Sequence, residues 1–75
     1  MNPEESAVRR AVLELLADGA WRHRGEALAA GYLAAWTLSD TVVGKVIARM
    51  TREGVIEARG HWSRTHDDRE VRLSP

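Results

Sequence analysis

The stretch that decides the fold runs Leu38-Ser39-Asp40-Thr41-Val42-Val43-Gly44-Lys45-Val46-Ile47-Ala48-Arg49-Met50-Thr51-Arg52-Glu53-Gly54. Read at helical spacing, Val42, Val43, Val46, Ile47 and Met50 fall on one side. Thr41, Gly44, Lys45, Ala48 and Arg52 fall on the opposite side, and Arg49 sits on the border. The outer face starts with small side chains, and its cations follow toward the end. A packed back and a slim, basic front suit insertion into a DNA groove. The spacing therefore predicts a recognition helix over 39–53, with Ser39, Thr41, Gly44, Lys45, Arg49 and Arg52 as candidate contacts. Gly44 costs roughly 1 kcal/mol in mid-helix. It serves either close approach to DNA or close packing against a neighbouring element.

Both ends of this helix are punctuated. Either Ser39 caps it, or Thr37 does with Asp40 completing a capping box. Leu38 would plug the angle between this helix and the one before it. Gly54 is placed to end the helix in the left-handed conformation that glycine adopts at no steric cost.

Downstream, Val55-Ile56-Glu57-Ala58-Arg59 and Arg69-Glu70-Val71-Arg72-Leu73 both alternate as strands do. With Ile56 opposite Leu73 and Ala58 opposite Val71, all four would face the helices and the charges would face water. The residues between, Gly60 to Asp68, form a long loop for a hairpin, and such loops are often functional. His61, Trp62, Arg64, Asp67 and Arg69 are its candidate DNA contacts. Trp62 would fold back on the hairpin, touch sugar or base at a groove edge, or meet a protein partner. His61 and His66 with Asp67 and Asp68 can be drawn as a metal site, but the spacing matches only half of any zinc motif, and no metal or cofactor is expected.

Upstream, Asn2-Pro3-Glu4-Glu5 reads as a helix start: a capping Asn, a first-turn Pro, and acids where the helix dipole is positive. Val8, Ala11, Val12, Leu15 and Leu16 form its apolar stripe, and Asp18-Gly19 closes it. Leu13 lies off that stripe, as an exposed leucine or part of a self-association surface. Ala20-Trp21-Arg22 is assigned as a short strand. A second helix is expected from Gly25 to Trp36, with Leu28, Tyr32 and Trp36 stacked along one face, Ala29 and Ala35 beside them, and Gly31 as the point where it would kink or split into two short turns. Trp21 and Trp36 are expected in the core.

The order is helix, short strand, helix, helix, strand, basic loop, strand. That is the α+β arrangement of a winged helix-turn-helix, whose third helix enters the major groove while its wing, here 60–68, reaches the backbone or minor groove.

Composition is compatible with one such domain over 1–75. The chain has 75 residues, 44% of them hydrophobic, with three Trp, no Phe and no Cys. A single core is near its lower size limit here, and neither disulfides nor thiolate metal sites are available to reinforce it. There is no room for a deep pocket and no nucleophile set on a plausible scaffold, so an enzyme is not expected. No apolar run is long enough for a bilayer and no secretory segment is legible, so the expectation is a cytoplasmic protein without membrane contact. Formal net charge is zero, but it is unevenly placed. Residues 1–20 hold Arg9 and Arg10 against Glu4, Glu5, Glu14 and Asp18, a sum of −2. Residues 41–66 hold Lys45, Arg49, Arg52, Arg59 and Arg64 against Glu53 and Glu57, a sum of +3. The basic part coincides with the candidate groove-reading elements.

From Leu38 onward the sequence resembles the DNA-binding half of MarR-type winged-helix regulators. The residues that carry the resemblance are Leu38-Ser39, Val43, Val46-Ile47, Arg49-Met50 and Gly54-Val55-Ile56, then Asp67-Asp68-Arg69 ahead of Val71-Arg72-Leu73-Ser74. It covers roughly half of the chain, without the flanking helices that those regulators use to dimerise and bind effectors. The resemblance implies sequence-specific, usually repressive, binding of double-stranded DNA. It implies that Ser39, Thr41, Lys45 and Arg49 approach DNA from the third helix, and that Asp67 orients Arg69 toward a minor-groove edge. A small phage or mobile-element regulator fits the same module. One copy covers little DNA, so a homodimer or a protein partner is expected. The reading from a different class is a winged helix that binds protein, as an antirepressor or assembly subunit.

Overall fold

In the computed structural model, which describes residues 2–75, the chain is α+β, with three helices and an open three-stranded antiparallel sheet. The elements are α1 (Pro3–Leu15), β1 (Arg22–His23), α2 (Arg24–Ala34), α3 (Asp40–Arg52), β2 (Ile56–Arg59) and β3 (Glu70–Leu73). The sheet order is β1-β3-β2. No helix among the described residues is long and apolar enough to cross a membrane.

Local chemistry sets the ends of α1 and α3. The Asn2 carboxamide accepts the Glu5 N–H at 2.8 Å, with Pro at the start of α1. Past the end of α1, Gly19 has φ +76, and Arg22 reaches back from β1 to donate to the Leu15 carbonyl at 3.1 Å and to Asp18 at 2.9 Å. Ser39, not Thr37, caps α3, its hydroxyl accepting the Val42 N–H at 3.3 Å. At the other end, Gly54 (φ +79) donates to the Thr51 carbonyl, and Val55 donates to that of Met50. This is the paired closure that lets a helix turn directly into a strand.

The second helix departs from the sequence-based expectation. It starts one residue earlier, at Arg24, and ends at Ala34. The short strand lies at 22–23, not 20–22. Both shifts come from His23, which ends β1 and caps α2: its Nδ1 accepts the Gly25 N–H at 2.9 Å, while Glu26 accepts the His23 N–H at 3.1 Å. The helix is uninterrupted through Gly31. Its buried face is Ala27 and Gly31, continued past its end by the expected Ala35; Leu28 is half-buried at the edge of the core, while Ala29, Tyr32 and Trp36 turn outward. Trp36 is 72% exposed, and Tyr32 is exposed as well. The reason is distance. A Cβ built on Gly31 would stand 2.8 Å from Val43 Cγ1 of α3 and 3.0 Å from Val8 Cγ1 of α1. Three helices meet there, and only small side chains fit between them.

The core is Val8, Val12 and Leu16 of α1 and its cap, Ala27 and Ala35, then Val43, Val46, Ile47 and Met50 of α3, closed by Ile56 and Val71 of the sheet. Leu13 is half-buried and packs against it rather than standing free. Ile56 does pair with Leu73 and Ala58 with Val71. Ile56 and Val71 are buried, Leu73 is half-buried and Ala58 is exposed, so the core covers less of β2 than the alternation implies. Trp21 is not a core residue either. It lies half-buried with the Arg59 guanidinium 4.1 Å and that of Arg72 4.5 Å from its ring. Those arginines also pair with Glu70 and Glu57, giving the sheet a polar outer layer.

The two mid-helix glycines should respond oppositely to alanine. Gly31→Ala forces α1 and α3 apart and should lower stability by about 1–3 kcal/mol. Gly44 meets only Arg24 and Leu28, at 3.5 and 3.8 Å from a built Cβ, so Gly44→Ala should raise stability by roughly 0.5–1 kcal/mol. Urea unfolding of the two variants checks the signs.

Candidate nucleic-acid interface

The structure divides the predicted residues of α3 and its cap into four groups. Thr41, Lys45 and Arg52 are exposed on its outer face. Gly44 is half-buried against α2, beside Arg24 and Leu28, where a Cβ would make only ordinary contacts, so close packing between the helices does not require a glycine there. Arg49 leans onto α1, 3.6 Å from the Glu5 carboxylate. Ser39 spends its hydroxyl on the helix cap. Asp40 stands at the first position of the helix, where a carboxylate favours the dipole but opposes a polyanion.

The segment 60–68 is not an irregular loop. Beyond Arg59 and Glu70, Trp62 pairs with Asp67, Asp68 N–H donates to the His61 carbonyl at 3.0 Å, and Ser63 N–H donates to that of His66 at 2.7 Å. These pairs continue the register of β2 and β3, so the hairpin narrows to a two-residue tip, Arg64-Thr65. Gly60 makes this possible. It has φ +91, and a Cβ there would run into the backbone carbonyl of Asp68. Two carboxylates fasten the ribbon. Asp67 takes both Arg69 side-chain donors, at 2.9 and 3.0 Å, and the Arg69 N–H at 3.1 Å. Asp68 takes the His61 N–H at 2.6 Å. The Arg69 side chain holds Asp67 well below the ordinary carboxylate range, and the His61 N–H lowers Asp68. At the tip, His61, Trp62 and Arg64 are exposed, Trp62 to 61%. With both carboxylates engaged, no set of three or more His, Cys, Asp or Glu converges among the described residues.

Two residues that the sequence reading passed over join the hairpin to the helices. His23 caps α2 through Nδ1, which fixes the proton on Nε2, and Nε2–H donates to the Asp67 carbonyl at 2.9 Å. Arg24 follows it. Its N–H donates to the Arg69 carbonyl at 2.9 Å, and its half-buried guanidinium reaches the Gly44 carbonyl at 3.5 Å. Burial first, and then repulsion from Arg69, lower the Arg24 guanidinium from its ordinary value. An anion at the junction of α2, α3 and the hairpin would relieve both. The spacing His-x-x-Glu before a helix was the available signal for this capping, and Arg24 came with it.

Charge pairing decides what the surface presents. Arg9 pairs with Glu53, Arg22 with Asp18, Arg49 with Glu5, Arg59 with Glu70, Arg69 with Asp67 and Arg72 with Glu57. Among the described residues that leaves Arg10, Arg24, Lys45, Arg52 and Arg64 without a carboxylate partner. Only Arg10 belongs to α1. The other four lie at the start of α2, on the outer face of α3 and at the hairpin tip. No protein-family model, curated protein or solved structure matches the chain.

Two outcomes test the hairpin. Because the Asp67 and Asp68 carboxyls are lowered by folding, the stability they add is complete above the usual carboxylate range and is lost as pH falls through their folded values. The Trp62 indole N–H resonance should therefore hold its folded position above about pH 4 and move toward that of free indole in stronger acid. Gly60→Ala, combining a forbidden φ with a backbone collision, should cost on the order of 1–3 kcal/mol and abolish the cross-strand contacts between Trp62 and Asp67.

Proposed function

We propose that this chain is a winged helix-turn-helix module that binds double-stranded DNA, as a small transcriptional regulator or a control protein of a phage or mobile element. The observation that carries the proposal is the position of the unpaired cations. A protein of zero net charge neutralises six of its arginines internally and leaves five cations unpaired, Arg10 on α1 and the other four, Arg24, Lys45, Arg52 and Arg64, on α2, α3 and the hairpin. Phosphate contacts supply most of the affinity of such modules, and cations already bound to carboxylates contribute little to it.

In this reading α3 is the recognition helix and enters the major groove with Thr41, Lys45 and Arg52 foremost. Arg24 meets a phosphate between α3 and the wing. The wing places Arg64, Trp62 and His61 on the flanking backbone or minor groove. Asp67 holds Arg69 as a brace of the wing, directing its outer edge toward the DNA. Arg49, tied to Glu5, contributes less than its position on the helix implies. A second reading, a winged helix that binds protein, is favoured by one observation: Leu33 near the end of α2 and Trp36 in the turn after it are exposed.

Fluorescence anisotropy with the chain's own upstream DNA, measured across a salt series, separates the two. Binding should fall steeply with salt, with a log–log slope of about −0.9 per phosphate neutralised. Arg24→Ala, Lys45→Ala, Arg52→Ala and Arg64→Ala should each make that slope shallower by about one such step, while Arg49→Ala leaves it nearly unchanged. Absence of binding at micromolar protein and low salt, or slopes indifferent to all four substitutions, would overturn the DNA reading.

A further inference from the structure

His23 is the last residue of β1 and the N-cap of α2. Its ring is held from two sides: Nδ1 accepts the Gly25 N–H at 2.9 Å, and Nε2–H donates to the Asp67 carbonyl at 2.9 Å. The other half of the cap, Glu26 accepting the His23 N–H, involves only the backbone of His23. The usual capping residues, Ser, Thr, Asn and Asp, accept through an oxygen that remains an acceptor in mild acid. An imidazole accepts through a nitrogen that is also its site of protonation.

We propose that His23 is a proton-operated catch, which joins the first turn of α2 to the hairpin when neutral and lets go of that turn when charged. An imidazolium carries a proton on each nitrogen and has no acceptor left, whichever way the ring is turned. Two N–H donors would then face each other where the cap now stands, and the Gly25 N–H loses its partner. Nε2–H keeps the Asp67 carbonyl, now as a charge-assisted bond. The charged ring therefore stays with the hairpin and separates from α2, whose first turn, beginning at Arg24, is left without its side-chain cap. The charged neighbours pull both ways. Glu26 of α2, Glu70 opposite in β3 and Asp67 of the hairpin favour the charged ring, whereas Arg24, Arg69 and the positive end of α2 oppose it. Asp67 and Glu70 are already engaged by Arg69 and Arg59. These charges set how readily the ring takes its proton, but none restores an acceptor to it. In the unfolded chain the ring titrates in the ordinary imidazole range, at about 6.5. Because the closed catch requires the neutral form, its contribution is complete above that range and is lost as pH falls through and below it. The Asp67 and Asp68 carboxyls that fasten the hairpin are lowered and stay ionised there, so the hairpin keeps its own pairing when the catch opens.

The inference does not depend on DNA binding, and its test uses the full chain without DNA. Nuclear Overhauser contacts between the His23 ring and Gly25 should be present at about pH 7.5 and lost at about pH 5, while those from the ring to Asp67 and from Trp62 to Asp67 persist. Over the same interval, urea unfolding should show the folding constant of the parent falling about fivefold relative to that of His23→Asn, which keeps an accepting oxygen at the cap and does not titrate. His61 and His66 are common to both chains, so their own effects cancel in the comparison. Ring contacts to Gly25 that survive in acid, a fall shared equally by His23→Asn, or loss of the Trp62–Asp67 contacts together with those to Gly25 would each overturn the inference.

Discussion

Everything in this fold depends on the place where a side chain is missing. At Gly31, α2 lies so close to α1 and α3 that Val8 and Val43 occupy the space its Cβ would need. That crossing fixes the inclination of α3, and the Ser39 cap and the Gly54 turn fix its length. The sheet then follows without a linker, since the closure of α3 hands the chain directly to β2. With only 75 residues and no disulfide, the protein relies on such close approaches because its core is too small to tolerate voids.

The same crossing explains where the sequence was legible and where it was not. The caps of α1 and α3, the end of α3 and the pairing of Ile56 with Leu73 follow from local punctuation and alternation, which act within a few residues. The buried face of α2 does not. Hydrophobicity ranks Leu28, Tyr32 and Trp36 above Ala27, Gly31 and Ala35, yet the helix separation admits only the smaller set, and that separation is a tertiary quantity. The ordered extension of the hairpin through 60–68 eluded the reading for a different reason. It carries no Asn-Gly or Asp-Gly turn, and its order comes from two carboxylates that accept backbone and guanidinium hydrogens. His23 was hidden because imidazole is an unusual cap, and Arg24 because it lay in what read as connection.

Neutral net charge, taken alone, argues against a polyanionic partner. The ion pairs change its meaning. They join α1 to α3, α1 to β1 and β2 to β3, and so consume most of the acidic side chains on the faces where elements meet. Surface pairs of this kind contribute little stability each. Their larger effect is to sort the surface, leaving four of the five uncompensated cations on α2, α3 and the hairpin and one, Arg10, on α1.

The constant register of the β2–β3 ribbon has a consequence for how such a protein can vary. Side chains alternate faces along the ribbon, so inserting one residue in each arm near Arg64-Thr65 would exchange its inner and outer surfaces. Inserting two in each arm would restore them and add roughly 7 Å of reach. The core ends at Ile56 and Val71, well short of the tip. Reach can therefore change in discrete steps while the helices stay as they are, so the length of this arm is adjustable independently of everything that makes the protein fold.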